Sequence, residues 1–247
     1  MLDFVIVIPA RLKSNRLPNK PLIKILGKEM ILRTIERCKL SVSQKLIYVA
    51  TDSTKIKKFL YRKNFKNVIL TSKKNKTGTD RIYEFSKIIK ANRYINVQGD
   101  EPIVNPKDIN KIINCSKKDN SFIYNGYAIV KNKKLISNKN IPKVVLDMHD
   151  NLLYISRSDI PSNFKNNNNN ILKQICIYSY PRNILNKVFK LNKKTRLEKI
   201  EDIEILRFLE CGYKVKMLKM SGKSMAVDVR SDVYKVESIL KKNEKFA

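Results

Sequence analysis

The chain has 247 residues, 43% of them hydrophobic, which is enough for a sizeable core and for one large α/β domain. Its 52 Lys and Arg against 22 Asp and Glu leave a formal charge of +30. The four cysteines, Cys38, Cys115, Cys176 and Cys211, form no CxxC pair and have only His149 for company, which argues against the common zinc modules. No apolar run approaches the ~20 residues of a membrane helix.

The N-terminal apolar run from Phe4 to Ala10 is preceded by Asp3 and ended by Arg11. Without a positive n-region it does not read as a secretion signal, so the expectation is a cytoplasmic protein with reduced, dispersed thiols and no membrane insertion. Phe4–Pro9 reads as a strand. An amphipathic helix near Met30–Leu40 follows, then a strand at Leu46–Ala50 and a lysine-rich helix near Thr54–Lys63. A strand at Asn67–Leu70, a helix near Thr79–Ala91 and a strand at Tyr94–Val97 complete this half. Short apolar runs separated by helical periods predict βαβ units and a parallel sheet.

The second half changes character. Strands are predicted at Phe122–Val130, Val144–Asp147, Leu152–Ser156 and Ile175–Tyr180, with fewer helices between them, as in a mixed-sheet lobe. His149 lies in a predicted hairpin turn, a poor place for a catalytic base. Asn166–Asn170 is a low-complexity run expected at a loop tip. A helix near Leu197–Cys211 ends at Gly212 as its C-cap, followed by a strand at Tyr213–Met220 and a helix at Val229–Lys242. No linker cuts the chain, so residues 1–247 are expected to form one domain with an embedded lobe at about 120–195.

Open parallel sheets bind ligands beyond the carboxyl ends of their strands. The opening cations, Thr51–Asp52 and Gln98–Asp100 all fall at such ends, and four motifs could carry chemistry. After the first strand come Arg11, Lys13, Ser14, Asn15, Arg16 and Lys20, with Pro18 and Pro21 to stiffen the loop. Several cations close together suit a triphosphate, and a solvated basic turn fits equally well. In "NVQGDEP" (Asn96–Pro102), Asp100 follows a strand and suits Mg²⁺; a helix cap or turn with Pro102 at the first helical position is the alternative. In "SMAVDV" (Ser224–Val229), Asp228 is either a second metal ligand or a cap for the last helix. In "KTGTDR" (Lys76–Arg81), Gly78 between two threonines offers hydrogen bonds to a base or ribose, or forms an N-cap turn. The charge itself is spread along the chain, which favours compositional lysine enrichment over a nucleic-acid footprint.

In order, "VIPARLKSNRLPNKPL", "ATD", "TGTDRI", "NVQGDEP", "KVVLD", "YISRSDIP", "LEKIEDIEILRFLECG" and "AVDVRSDVYKVE" resemble the 3-deoxy-manno-octulosonate (Kdo) cytidylyltransferases, over nearly the whole chain. The resemblance implies a Rossmann-like nucleotide-diphospho-sugar transferase fold: α/β, with a mostly parallel central sheet flanked by helices and a smaller mixed-sheet lobe for sugar binding and dimerisation. It implies a reaction in which the anomeric hydroxyl of a 3-deoxy acid sugar attacks the α-phosphorus of CTP, for cell-surface glycan synthesis, with Mg²⁺ as cofactor and a homodimer as the assembly. It implies Lys20, Arg11 and Asp100 as catalytic residues. Ala10, Arg11, Ser14, Arg16, Lys20, Thr77, Gly78, Thr79 and Gln98 would bind nucleotide. Arg81, Gln98, Arg157, Gln174, Tyr178 and Glu204 would bind the sugar, and Asp100 and Asp228 the metal.

The chain departs from the family pattern at the acceptor pocket. Kdo enzymes typically read "HLGIYGYR" where this chain has "QICIYSYP", so Gln174 stands for a histidine and Ser179 for a glycine. They often read "EQLR" where this chain has "EILR", with Ile205 for a glutamine. Asn19 stands where glycine is usual. Alternative acceptors are therefore an 8-amino Kdo analogue or a nonulosonic acid, and the alternative class is a basic nucleic-acid-binding protein, with no specific nucleic acid expected.

Overall fold

In the computed structural model, which describes residues 1–14, 16–130, 135–162, 171–191 and 193–242, the chain divides into two compact units. One comprises Met1–Asn110 with the segment from Lys223 onward, and the other comprises Lys111–Gly222. The lobe expected at about 120–195 lies inside the second unit, which extends further at both ends. Asn15 and the Asn166–Asn170 run lie outside the described residues.

The first unit is built on strand β1 (Leu2–Ala10), whose residues from Phe4 to Ala10 are all buried. A small hairpin, β2 (Lys24–Ile25) and β3 (Lys28–Glu29), leads into helix α1 (Met30–Lys39). Strand β4 (Ile47–Thr51), helix α2 (Thr54–Arg62), strand β5 (Val68–Leu70), helix α3 (Gly78–Ile88) and strand β6 (Ala91–Val97) follow. Their order in the sheet is β6-β1-β4-β5, every pair parallel, with Ala10 beside Thr51, Thr51 beside Leu70 and Val7 beside Asn96. The chain moves outward from β1 through β4 to β5, then returns to the other side of β1 as β6. The strand order reverses between β1 and β6, and the crevice at their carboxyl ends is where such sheets hold ligands.

Local chemistry starts each helix. Ser53 caps α2 by accepting from the Ile56 N–H, and Thr77 with Asp80 forms a reciprocal capping box for α3. Helix α1 buries Met30, Ile31, Thr34, Ile35 and Cys38, one face at helical spacing. Helix α4 (Pro106–Lys118) starts at Pro106 and not at Pro102, where the alternative reading of "NVQGDEP" puts a helix start, because residues 98–104 turn back on themselves through Glu101 N–H to Gln98 O and Val104 N–H to Glu101 O. Helix α8 (Arg230–Lys242) closes the unit, burying Val233, Val236 and Leu240.

The second unit carries β7 (Ile123–Ile129), β8 (Lys143–Leu146), β9 (Leu152–Ser156), β10 (Leu172–Pro181) and β11 (Val215–Lys219), with helices α5 (Arg182–Phe189), α6 (Arg196–Glu201) and α7 (Leu206–Glu210). Its strands pair antiparallel except β11 with β7, which is parallel, so the sheet is mixed. The Asp147–Asn151 turn between β8 and β9 holds His149 as expected, with Asp147 accepting from the His149 and Asn151 N–H groups.

The single helix expected over Leu197–Cys211 is instead two, broken at Asp202, which adopts φ 49°. Arg157 supplies the reason. Its guanidinium takes the carbonyls of Glu201 and Asp202, which a continuous helix would need for its own ladder. Gly212 follows the end of α7 at φ 79°, the left-handed position that favours glycine.

Candidate active site

The loop after β1 folds without glycine because an apolar floor holds it. Leu17 packs with Ile25, Met30, Ile103, Val227, Val233, Val236 and Leu240. Ser14 Oγ accepts from the Leu17 N–H at 3.4 Å. Asn19 adopts φ 54°, a conformation asparagine tolerates, and starts a 3-10 turn over Lys20–Leu22 with Pro21 buried. Lys20 is thereby carried on a short, stiff segment.

Its ammonium reaches two carboxylates that are far apart in sequence. Lys20 Nζ lies 2.5 Å from Asp100 Oδ2 and 2.9 Å from Asp228 Oδ1. Arg16 Nη2 is 3.0 Å from the same Asp228 oxygen. The segments meet because the Val227 N–H donates to the Asp100 carbonyl at 2.9 Å. Burial works against the Lys20 charge, but Asp100 and then Asp228 outweigh it, so its pKa stands above the ordinary lysine value. Arg11 and Lys13 are exposed and pair with no carboxylate among the described residues. The loop thus divides into free cations and held cations.

Asp228 is not the cap of α8. That task falls to Asp232, whose Oδ2 accepts from the Asp228 and Val229 N–H groups at 3.1 and 3.2 Å. Burial raises the Asp232 pKa, but the Lys235 ammonium and these two N–H groups more than offset it, leaving it lowered. Asp232 is a positioning residue that the sequence motif "AVDVRSD" contained without marking.

At the end of β6, Gly99 allows the backbone to approach β1. A Cβ there would lie 2.9 Å from the Pro9 carbonyl oxygen. Gly78, at the start of α3, faces Pro9 and the Gln98 amide, with room for a methyl at 3.5–3.7 Å. Thr79 is fully buried, and Thr77 spends its hydroxyl on the capping box. Ala10 ends β1 beside Thr51. Arg81, expected to face a sugar, is 3% exposed, and its guanidinium goes to Thr71 and to Asp52 Oδ2 at 3.1 Å. It ties the first turn of α3 to the ends of β4 and β5. Asp52, in the "ATD" motif, directly follows β4, and no local signal in that motif names Arg81 as its partner.

In the second unit, Arg157 donates to three backbone carbonyls, those of Glu201, Lys139 and Asp202. Two of its five N–H groups remain after those bonds, on a partly exposed side chain. Glu201 holds the strand end by accepting from the Ser156 hydroxyl and the Arg157 N–H. Gln174 gives its amide N–H to Asn125 Oδ1 at 2.9 Å, and Asn125 in turn bridges the Ile175 and Ile177 carbonyls across a bulge in β10. Tyr178 stacks on Tyr180 at 5.7 Å, and burial pushes its phenol well up, so it stays a neutral hydroxyl. Glu204 is half-buried, and Ile205 lies wholly in the core.

A groove of about 600 Å³ on α2, lined by Thr54, Lys57, Lys58, Tyr61 and Arg62, shares no residue with these clusters and has no carboxylate in its lining.

A profile of the family described as cytidylyltransferase matches residues 5–220. The chain belongs to the cytidylyltransferase family. It is 39% identical over 246 residues to the 3-deoxy-manno-octulosonate cytidylyltransferase of Fusobacterium nucleatum, spanning 98% of each chain. It is 36% identical over 245 residues to the 8-amino-3,8-dideoxy-manno-octulosonate cytidylyltransferase of a Shewanella species, spanning 97% of this chain and 99% of that one. It superposes with TM-score 0.88, at 30% identity, on CMP:2-keto-3-deoxy-manno-octonic acid synthetase complexed with CTP, covering 97% of this cytidylyltransferase and 98% of the other. The fold is the Rossmann-like α/β fold of nucleotidyltransferases, as the resemblance implied. Among the described residues, no helix of this cytidylyltransferase is long and apolar enough to cross a membrane.

The donor set also fits a hard divalent cation. Asp100 and Asp228 already converge on one cationic atom, with carboxylate oxygens of the type Mg²⁺ takes. Among the described residues no group of three or more His, Cys, Asp or Glu gathers.

Proposed function

We propose that this cytidylyltransferase activates a 3-deoxy-manno-octulosonate-type acid sugar with CTP, releasing pyrophosphate. The observation that carries the reading is the meeting of Asp100, Asp228, Lys20 and Arg16 at the carboxyl ends of the strands. In this reaction the sugar's anomeric oxygen bonds to the α-phosphorus, the bond to the β-phosphate oxygen breaks, and the hydroxyl proton leaves to solvent. Such a transfer needs alignment and charge stabilisation more than covalent help.

Arg11 and Lys20 neutralise the phosphates, with Arg16 and the Ser14 hydroxyl beside them. Gly78 and Gln98 present a flat, polar surface to the base and ribose. Mg²⁺ held by Asp100 and Asp228 would stabilise charge on the α-phosphate and lower the pKa of the attacking hydroxyl. In the second unit, the Arg157 guanidinium rests on backbone carbonyls and keeps donors of the kind that suit the sugar carboxylate.

A second acceptor, the 8-amino analogue, is supported by the relatives of both names. The deciding experiment follows pyrophosphate with CTP, Mg²⁺ and a panel of Kdo, 8-amino Kdo and nonulosonic acids, and repeats it with other nucleoside triphosphates. Release with CTP and a Kdo-type acid is expected. No release with any acid sugar overturns the reading.

A further inference from the structure

The two carboxylates assigned above to a divalent cation are already engaged by cations of the chain itself. Lys20 bridges Asp100 and Asp228, and Arg16 adds a second cation to Asp228. The four charges sum to zero. The lysine is not a loose surface side chain: it is 13% exposed and follows the left-handed Asn19 on a turn pinned by buried Pro21. Arg16 is 55% exposed and reaches Asp228 from the solvent side.

A dication approaching this neutral cluster meets no net attraction. It must either displace the ammonium from the carboxylates or sit beside it at close like-charge range. A triphosphate changes both terms. It brings several negative charges, and its oxygens give Lys20 and Arg16 another partner of the kind both side chains prefer. Once the ammonium moves to phosphate, Asp100 and Asp228 recover two uncompensated charges.

We propose that Lys20, assisted by Arg16, is an internal counterion that withholds Asp100 and Asp228 from divalent cations until a nucleoside triphosphate draws it away. The inference rests on the reading of Asp100 and Asp228 as metal ligands. Its consequence is positive coupling: nucleotide raises metal affinity, and by reciprocity metal raises nucleotide affinity by the same factor. A site built this way does not fill with metal ahead of its substrate.

The test titrates Mn²⁺, detected by electron paramagnetic resonance, into the protein with and without CTP and without any sugar, so that no turnover occurs. Binding is corrected for the Mn²⁺–CTP complex measured in protein-free solution. Wild type should bind Mn²⁺ weakly alone and at least about tenfold more tightly with CTP. Lys20→Met should bind Mn²⁺ alone about tenfold or more tightly than wild type, with the coupling to CTP reduced. Lys20→Arg keeps the charge and should stay weak. Arg16→Ala should show a smaller gain of the same sign. A purely structural lysine would lower the melting temperature on removal without tightening Mn²⁺.

A folded Lys20→Met protein no tighter for Mn²⁺ than wild type overturns the proposal while leaving the metal site standing. Failure of wild type to bind Mn²⁺ even with CTP overturns the metal-ligand reading and this inference together. If Lys20→Met does not fold, the exposed Arg16→Ala decides, and no gain there overturns the proposal.

Discussion

Replacing Asp228 with Asn separates the chemistry of the strand-end cluster from its contribution to folding. The substitution keeps shape and one acceptor oxygen and removes one negative charge. Two cations lose a charged partner, Lys20 at 2.9 Å and Arg16 at 3.0 Å. The Arg16 side chain is 55% exposed and returns to water, so its loss costs close to nothing. Lys20 keeps Asp100 at 2.5 Å and can still donate to the new amide oxygen. A charged hydrogen bond contributes ~1.5–3 kcal/mol, and with one acceptor retained the net cost should be about 1 kcal/mol. For a chain of this size that lowers the melting temperature by about 2–4 °C. The reaction should suffer more. Removing a preorganised electrostatic group from a transition state costs about 10²–10³-fold, or ~2.7–4 kcal/mol. Pyrophosphate release gives kcat/KM, and a thermal melt gives the stability change. A kcat/KM within about threefold of wild type, or a melting temperature more than about 8 °C lower, refutes the assignment of Asp228 to chemistry over structure.

Gly78→Ala should fold with stability changed by less than about 0.5 kcal/mol, since the new methyl meets only ordinary contacts at 3.5–3.7 Å, and should raise KM for CTP if the base lies against Gly78; steady-state kinetics and a melt decide. Gly99→Ala places a methyl 2.9 Å from the Pro9 carbonyl and should cost about 1–3 kcal/mol by denaturant titration. Glu198→Ala strands Arg207, 1% exposed and bonded to both carboxylate oxygens at 2.6 and 2.7 Å, and should cost about 3–5 kcal/mol, seen as a melt roughly 10 °C lower. Because the Asp232 pKa is lowered in the fold, its contribution is complete above the unfolded carboxylate pKa of about 4 and is lost as pH falls through the lower folded value. Asp232→Asn should therefore cost ~1 kcal/mol at neutral pH and flatten the acid limb of a stability-against-pH curve.

Much of the first unit was legible because its signals are local. Apolar runs such as Phe4–Pro9 and Tyr94–Val97 lie within strands, and helix starts are written in short-range chemistry such as Thr77 with Asp80. The ordered motifs carried the family. The break at Asp202 was not legible, because a tertiary partner imposes it: Arg157 takes carbonyls that the periodicity of residues 197–211 assigns to a helix. The role of Arg81 was likewise hidden, because its partners Asp52 and Thr71 come from neighbouring strand ends and not from its own motif.

By itself the sequence determined which residues lie at strand ends, because hydrophobic period and turn chemistry act over a few residues. It also determined that the opening loop carries four cations and no glycine. Only the tertiary structure decided which of those cations are free and which are held. Asp100 and Asp228 are brought to Lys20 by parallel strand order and by one backbone bond from Val227 to Asp100, and no local pattern encodes a contact across that separation.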